Sequence, residues 1–366
     1  MTEQNLTPQK PSENSSFQEI KQHFVDKNEQ EYNLWMSEIS PYLDYLKPHL
    51  KSYLDAKYNG NIETKPQFFE TDEKIITQVI DNFAEETITN EDLRKTYLNN
   101  FHSKNPNVIT VLQVNLPSEN IDENQWKNTS VGNIGRIFPE DIDNNLLKNE
   151  DIGKVLIKIR LGTEQPNGKI KACIGDISAY VHEVAHSTSE RYTSKEPMGM
   201  KSGNMPEVEA ICMENLFQNY LEKNATELSS QFYKDGLIPS ENPNHIINMI
   251  KSYRAYRDKG LDEMIEKIQT EAYNSKKPFA KQKMFRYVVA EIYGYLLEDE
   301  YNKNPEKTID QYAEFLKNNS TLSIDDCSKV LFGNDNMTKE KVLNKFVTTL
   351  DNRTQKLLQM QEEQSM

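Results

Sequence analysis

The chain has 366 residues, with 43 Lys plus Arg against 57 Asp plus Glu, and so a formal charge of −14. That balance excludes the basic footprint that a nucleic acid or an anionic membrane requires of its partner. No apolar run approaches the roughly 18 residues of a membrane-spanning helix, and the opening MTEQNLTPQKPSENSSFQ lacks the basic-then-apolar layout of a signal peptide. A cytoplasmic protein is expected, with export by a specialised system left open.

Apolar residues make up 36% of the chain and glycine is scarce, while helical periodicities recur, which predicts a mainly α fold with a small β-sheet, of the α+β class. Cys173, Cys212 and Cys327 are odd in number and widely spaced. They exclude a disulfide scaffold and a CxxC zinc site.

Taken in chain order, residues 1–28 are polar with no apolar period, which predicts a flexible arm. A helical region is expected over 29–105. Leu34, Trp35, Ile39, Tyr42, Leu43 and Leu46 recur at three- and four-residue intervals up to Pro48, and Ile75, Ile76, Val79, Ile80 and Phe83 repeat the pattern. Two β-rich runs follow, Val108–Val114 and Lys154–Leu161, separated by a loop-like stretch rich in Asn, Asp and Gly. In the second, Val155, Ile157 and Ile159 alternate with Lys, Leu and Arg neighbours. This suits either a core strand or a sheet edge to which an extended peptide adds by main-chain hydrogen bonds. Beyond Asp176 helices are expected at about 206–222, 260–275, 280–299, 306–317 and 338–358, with 359–366 as a tail. A core over 106–358 then divides into the sheet and first helices, 106–222, and a helical subdomain, 223–358.

The chemistry concentrates in Tyr180-Val181-His182-Glu183-Val184-Ala185-His186, which contains HExxH. Chance expects roughly 0.01 such motifs in a chain of this composition. On a helix, residues i and i+4 share one face, so His182 and His186 can meet one metal ion while Glu183 stands beside its open position. Asp176 falls where the N-cap of that helix would sit, and Ile177, Val181, Val184 and Ala185 supply a buried side.

Catalytic zinc commonly takes three protein ligands and a water, so a third ligand is sought on another helix. Pro206 suits a first turn, and Val208, Ile211, Cys212, Leu216 and Tyr220 form an apolar stripe with Glu207, Glu209 and Glu214 close by. Glu207 and Glu214, seven apart, share a face, and Glu209 is rotated from Glu207 by about 200°. Periodicity alone leaves Glu207 and Glu209 as alternatives.

The stretch from Asp176 through Asn215 resembles the catalytic core of the thimet oligopeptidase and oligoendopeptidase F family of zinc peptidases. That family places an Asp six residues before HExxH, and a ligand Glu seven before a Glu-Asn pair. Here Asp176 precedes His182 by six, and Glu207 precedes Glu214-Asn215 by seven. The resemblance implies a zincin-like core in which one Zn²⁺ per chain is held by His182, His186 and Glu207, with Glu183 as general base. It also implies a peptide or protein substrate. The helix Tyr287 to Gly294 resembles the family's tyrosine-bearing helix, which implies Tyr287 as a donor to the transition state. Tyr312 to Leu316 resembles the segment after it. Glu214, with Asp176 behind it, is the candidate for orienting a zinc-bound imidazole.

The resemblance covers roughly 176–346, under half of a typical full-length member, and it has departures. Ala185 stands where the family usually has Gly, and Ser189 where another His is common. Met284 and Ser275 replace a second tyrosine and an upstream histidine, and the long helical N-terminal half is mostly missing. Two alternatives therefore stay open. One is a zinc-containing binding protein with little peptidase activity. The other is an exported effector or toxin-type protease specific for one protein, since several of these carry a short HExxH unit in a helical chain.

Overall fold

The computed structural model describes residues 42–59, 67–115, 132–142, 146–193, 205, 207–269, 278–319 and 322–365. The expected arm over 1–28, the positions Leu34, Trp35 and Ile39, and Pro206 and Ser275 lie outside the described residues.

Helix α1, residues 42–58, runs through Pro48 instead of stopping there. A proline inside a helix costs about 3 kcal/mol. Leu50, Tyr53 and Leu54 beyond it are buried, each worth about 1.5–3 kcal/mol, and together they outweigh that cost. Helix α2 (Glu73–Thr87) opens on Asp72, whose carboxylate accepts from the Ile75 amide, and it buries the expected stripe of Ile75, Ile76, Val79, Ile80 and Phe83. Helix α3 (Glu91–Phe101) is capped in the same way by Asn90. The region expected to be helical also supplies a strand, β1 (Phe68–Thr71).

Four more strands complete the sheet: β2 (Val108–Asn115), β3 (Gly132–Arg136), β4 (Val155–Glu164) and β5 (Ile170–Cys173). The first half of β4 is parallel to β2 and antiparallel to β3, and these two must flank it on opposite sides because both pair with residues 155–159. Its second half turns back into β5, which pairs with β1. The segment 154–161 is therefore interior, and the sheet-edge reading for it is corrected. The outer position belongs to β3, with no strand paired on its far side among the described residues.

Alternation along β4 divides two cores. Val155, Ile157, Ile159 and Leu161 bury against the helices, and Leu156 joins Ile137 and Leu147 in a small cluster on the other face. Gly162, at φ +110°, allows the β4–β5 hairpin to close, since a Cβ there would collide with the Lys171 carbonyl.

Strand β5 passes without a loop into helix α4 (Ile174–Ser187), which carries HExxH, so the sheet sets where that helix begins. After it come α5 (Val208–Lys223), α6 (Ala225–Lys234), α7 (Asn244–Gln269), α8 (Pro278–Lys303), α9 (Pro305–Asn318), α10 (Ile324–Phe332) and α11 (Lys339–Ser365). Helix α7 starts well before the expected 260, and α11 carries the segment read as a tail as far as Ser365.

Helix α5 is buried from Val208 to Leu221, so it is the central helix, and its polar side chains are enclosed with the apolar ones. Helix α8 packs closely on it at Gly294, where a Cβ would stand 2.9 Å from Ile211 Cγ2 and collide with the Asn215 amide. One continuous cluster of buried residues extends from Leu43 to Leu350, joining the N-terminal helices, one face of the sheet and the C-terminal helices.

Candidate metal centre

His182 and His186 lie one turn apart on α4, both buried, with ring centroids 4.8 Å apart and planes at 83°. Glu207 stands at the N-cap position of α5, with φ −80° and ψ −20°, and faces them across the helix pair. Its Oε2 is 3.4 Å from His182 Nε2 and 3.6 Å from His186 Nε2. These separations are long for hydrogen bonds. They match the roughly 3.4 Å edge of a tetrahedron whose metal–ligand distances are about 2.0–2.1 Å. Glu207 Oε2 is also buried without a hydrogen-bond partner, and one ligand atom from each of the three residues lies within 4.8 Å of the others. Two imidazole nitrogens and a carboxylate oxygen converging on one point form a donor set suited to zinc.

The outward ring nitrogens are held as such a centre requires. His182 Nδ1 is 3.2 Å from Glu214 Oε2, and His186 Nδ1 is 3.2 Å from Glu209 Oε2. An Nδ1–H donated to each carboxylate leaves both Nε2 lone pairs directed toward Glu207. Sequence reasoning offered Glu214 for this position. It weighed Glu209 only as an alternative ligand and not for this position; the residue is fully buried and bonded on Oε1 by Ser189 Oγ at 2.6 Å and Asn319 Nδ2 at 2.5 Å. Pairing the three nearby carboxylates with the four histidine nitrogens, instead of choosing one of them as ligand, is the signal that would have found it.

Behind Glu214 the support is ionic. Tyr253 donates to Glu214 Oε1 at 2.7 Å and Arg257 Nη1 lies 3.4 Å away. Arg257 also grips both oxygens of Glu291, at 3.0 and 2.5 Å, and donates to Asn215 Oδ1 at 2.7 Å. Burial disfavours the charged form of His182, but the nearby carboxylates of Glu207 and Glu214 outweigh it and push its pKa up to about 10 in the metal-free protein. His186 is raised against burial by Glu207 and Glu209. Burial would raise Glu207, yet the two histidines hold it well below the usual carboxylate range; Glu214 is lowered against burial, chiefly by Arg257.

Glu183 follows His182 on α4 and is partly exposed, and it lies against β3, where a Cβ on Gly132 would stand 2.5 Å from its Cγ and 2.8 Å from its Oε1. Tyr287 on α8 hydrogen-bonds Glu207, and the negative charge of that carboxylate, with burial, holds the hydroxyl in its protonated form. Asp176 is at the third position of α4, not at its N-cap. Its Oδ2 accepts from the Cys173 amide at 2.8 Å, because β5 runs straight into the helix and Cys173 occupies the cap.

The chain is similar in structure to a Bacillus anthracis str. Ames protein provisionally assigned as an oligoendopeptidase F, with TM-score 0.50 and 13% identity, over 92% of this chain and 61% of that one. The fold is oligoendopeptidase-like. A second structure provisionally assigned as oligoendopeptidase F matches with TM-score 0.44 and 11% identity, over 90% of this chain and 58% of its own. PZ peptidase A with inhibitor 2 matches with TM-score 0.42 and 12% identity, over 90% and 61%. At the level of sequence, no protein-family model and no curated protein matches the chain. The chain spans about three fifths of the length of these structures. The oligoendopeptidase-like fold nevertheless takes in 92% of it, well beyond the stretch over which motifs are legible.

Proposed function

We propose that the protein is a zinc-dependent peptidase, with His182, His186 and Glu207 as the metal ligands and Glu183 as the general base. The observation that carries this reading is the buried, unpartnered Oε2 of Glu207 facing two Nε2 atoms at tetrahedral spacing, while carboxylates hold both outward nitrogens. A zinc ion bound there supplies a Lewis acid that polarises a carbonyl and brings the pKa of a water toward about 7.

The remaining work falls to the side chains. Glu183 takes the proton from the attacking water and returns it to the leaving amine. Glu209 and Glu214 keep the imidazoles oriented through their Nδ1–H groups. Tyr287, protonated and at the Glu207 side of the site, donates to the oxygen that develops negative charge, an effect of about 2.7–4 kcal/mol per donor. An extended peptide adds to the outer edge of β3, whose Gly132 lies against Glu183, so main-chain pairing brings a peptide bond to the base.

The test is cleavage of a mixed quenched-fluorescent peptide library by the wild-type protein and by Glu183→Gln. Cleavage by the wild type, reduced about 10²–10⁴-fold in the variant with its zinc retained, is the expected result. Retained activity in the variant would refute the assigned base. A wild type that binds zinc and cuts neither peptides nor proteins would leave a binding protein in its place.

A further inference from the structure

A cavity of about 950 Å³ lies between α1, α7 and α11, away from the metal centre. Asn248, Lys251, Ser252 and Ala255 line it from one face of α7, whereas Tyr253 and Arg257, which hold Glu214, occupy another face of the same helix. The chain as a whole carries −14, yet this wall carries Lys57, Lys251, Arg254, Arg353 and Lys356 against a single carboxylate, Glu222.

Three of these cations are anchored by carboxylates, Lys57 by Asp258 at 2.7 Å, Arg254 by Glu298 at 3.0 Å and Arg353 by Asp299 at 2.5 Å. They are fixed in place as donors. Arg254 Nε lies 3.3 Å from Glu222 Oε1, so the one carboxylate of this wall is itself paired. Lys251 and Lys356, from two different helices, are exposed and have no ionic or hydrogen-bond partner among the described residues. Two uncompensated positive charges facing one cavity, whose only lining carboxylate is already paired, are the donor set of an anion site. An inorganic ion alone would occupy a small part of that volume, which is in the range that holds a ligand of nucleotide size. Asn59, Asn248 and Ser252 supply neutral polar groups for the body of such a ligand.

We propose that this cavity binds a phosphorylated small molecule, with Lys251 and Lys356 receiving its phosphate oxygens. The proposal is independent of the peptidase reading. The test is calorimetric titration of the full-length, zinc-loaded protein with ATP, inorganic pyrophosphate and adenosine at near-physiological salt.

Saturable binding of ATP and pyrophosphate, no binding of adenosine, and affinity about tenfold weaker in Lys251→Ala/Lys356→Ala are expected. Both lysines are exposed and unpartnered, so the double variant keeps the fold. Binding that survives in Glu207→Ala would separate this site from the metal centre; binding lost there would place the anion on the metal and overturn the proposal. Absence of saturable binding, equal affinity for adenosine, or an unaffected double variant would overturn it as well.

Discussion

The two histidines of the candidate centre face the same carboxylate oxygen but are supported in different ways. Behind His182, Glu214 is backed by Arg257, a charged group that is itself locked to Glu291 across α7 and α8. Behind His186, Glu209 is bonded by the neutral donors Ser189 and Asn319, which follow α4 and end α9. One support is an ion network between long helices, and the other a set of neutral hydrogen bonds between helix ends. Buried ion pairs contribute little net stability when intact but cost heavily when one partner is removed. Removing the support should therefore cost more on the His182 side.

Removing the ligand common to both sides has the largest expected effect. Glu207→Ala should reduce zinc content to near zero after dialysis against a mild chelator, measured by elemental analysis, because the remaining imidazoles lose the only carboxylate facing both Nε2 atoms among the described residues.

The supports themselves come next. Glu214→Gln and Glu209→Gln should each weaken zinc binding about 10–100-fold in competition with a chromophoric chelator. Their stability costs should differ: about 3 kcal/mol for Glu214→Gln, which leaves part of the Arg257 charge uncompensated, and about 1 kcal/mol for Glu209→Gln. Urea unfolding of the two variants would measure this, and equal costs would remove the distinction between an ionic and a neutral support.

A pH dependence follows from the same carboxylates. In the zinc-free protein His182 is raised to about 10 from an ordinary value near 6.5, so its folded form binds the proton more tightly than the unfolded chain. The stabilisation is fully present below about 6.5 and is lost as pH rises through about 10. Zinc must displace that proton. Titrations at pH 7 in buffers of different ionisation enthalpy should show proton release on zinc uptake.

The smallest effect on metal affinity is expected where neither support is touched. Gly132→Ala on β3 should leave zinc binding unchanged, yet its Cβ would displace Glu183, and a misplacement of that order lowers kcat by about 10²-fold. Steady-state kinetics beside zinc content would separate the two.

Local features of the site were legible in sequence, and distant ones were not. HExxH is a contiguous helical pattern, and Glu207 and Glu214 follow from a seven-residue spacing once a family resemblance is added. Glu209 became a support only because Ser189 and Asn319 meet it from positions 20 and 110 residues away, which no local period encodes. Strand β3 was hidden because Gly-Asn-Ile-Gly-Arg has one aliphatic residue, its strand state being imposed by pairing with β4. Helix α1 continued through Pro48 because tertiary burial overrode a local breaker.

In the proposed centre His182, His186 and Glu207 hold one zinc ion while a fourth side chain, Glu183, does chemistry without holding it. Zinc stoichiometry of the wild type, Glu207→Ala and Glu183→Gln, purified in parallel, tests this most directly. One zinc per chain is expected in the wild type and in Glu183→Gln, and almost none in Glu207→Ala. Zinc retained in full by Glu207→Ala, or lost from Glu183→Gln, would contradict it.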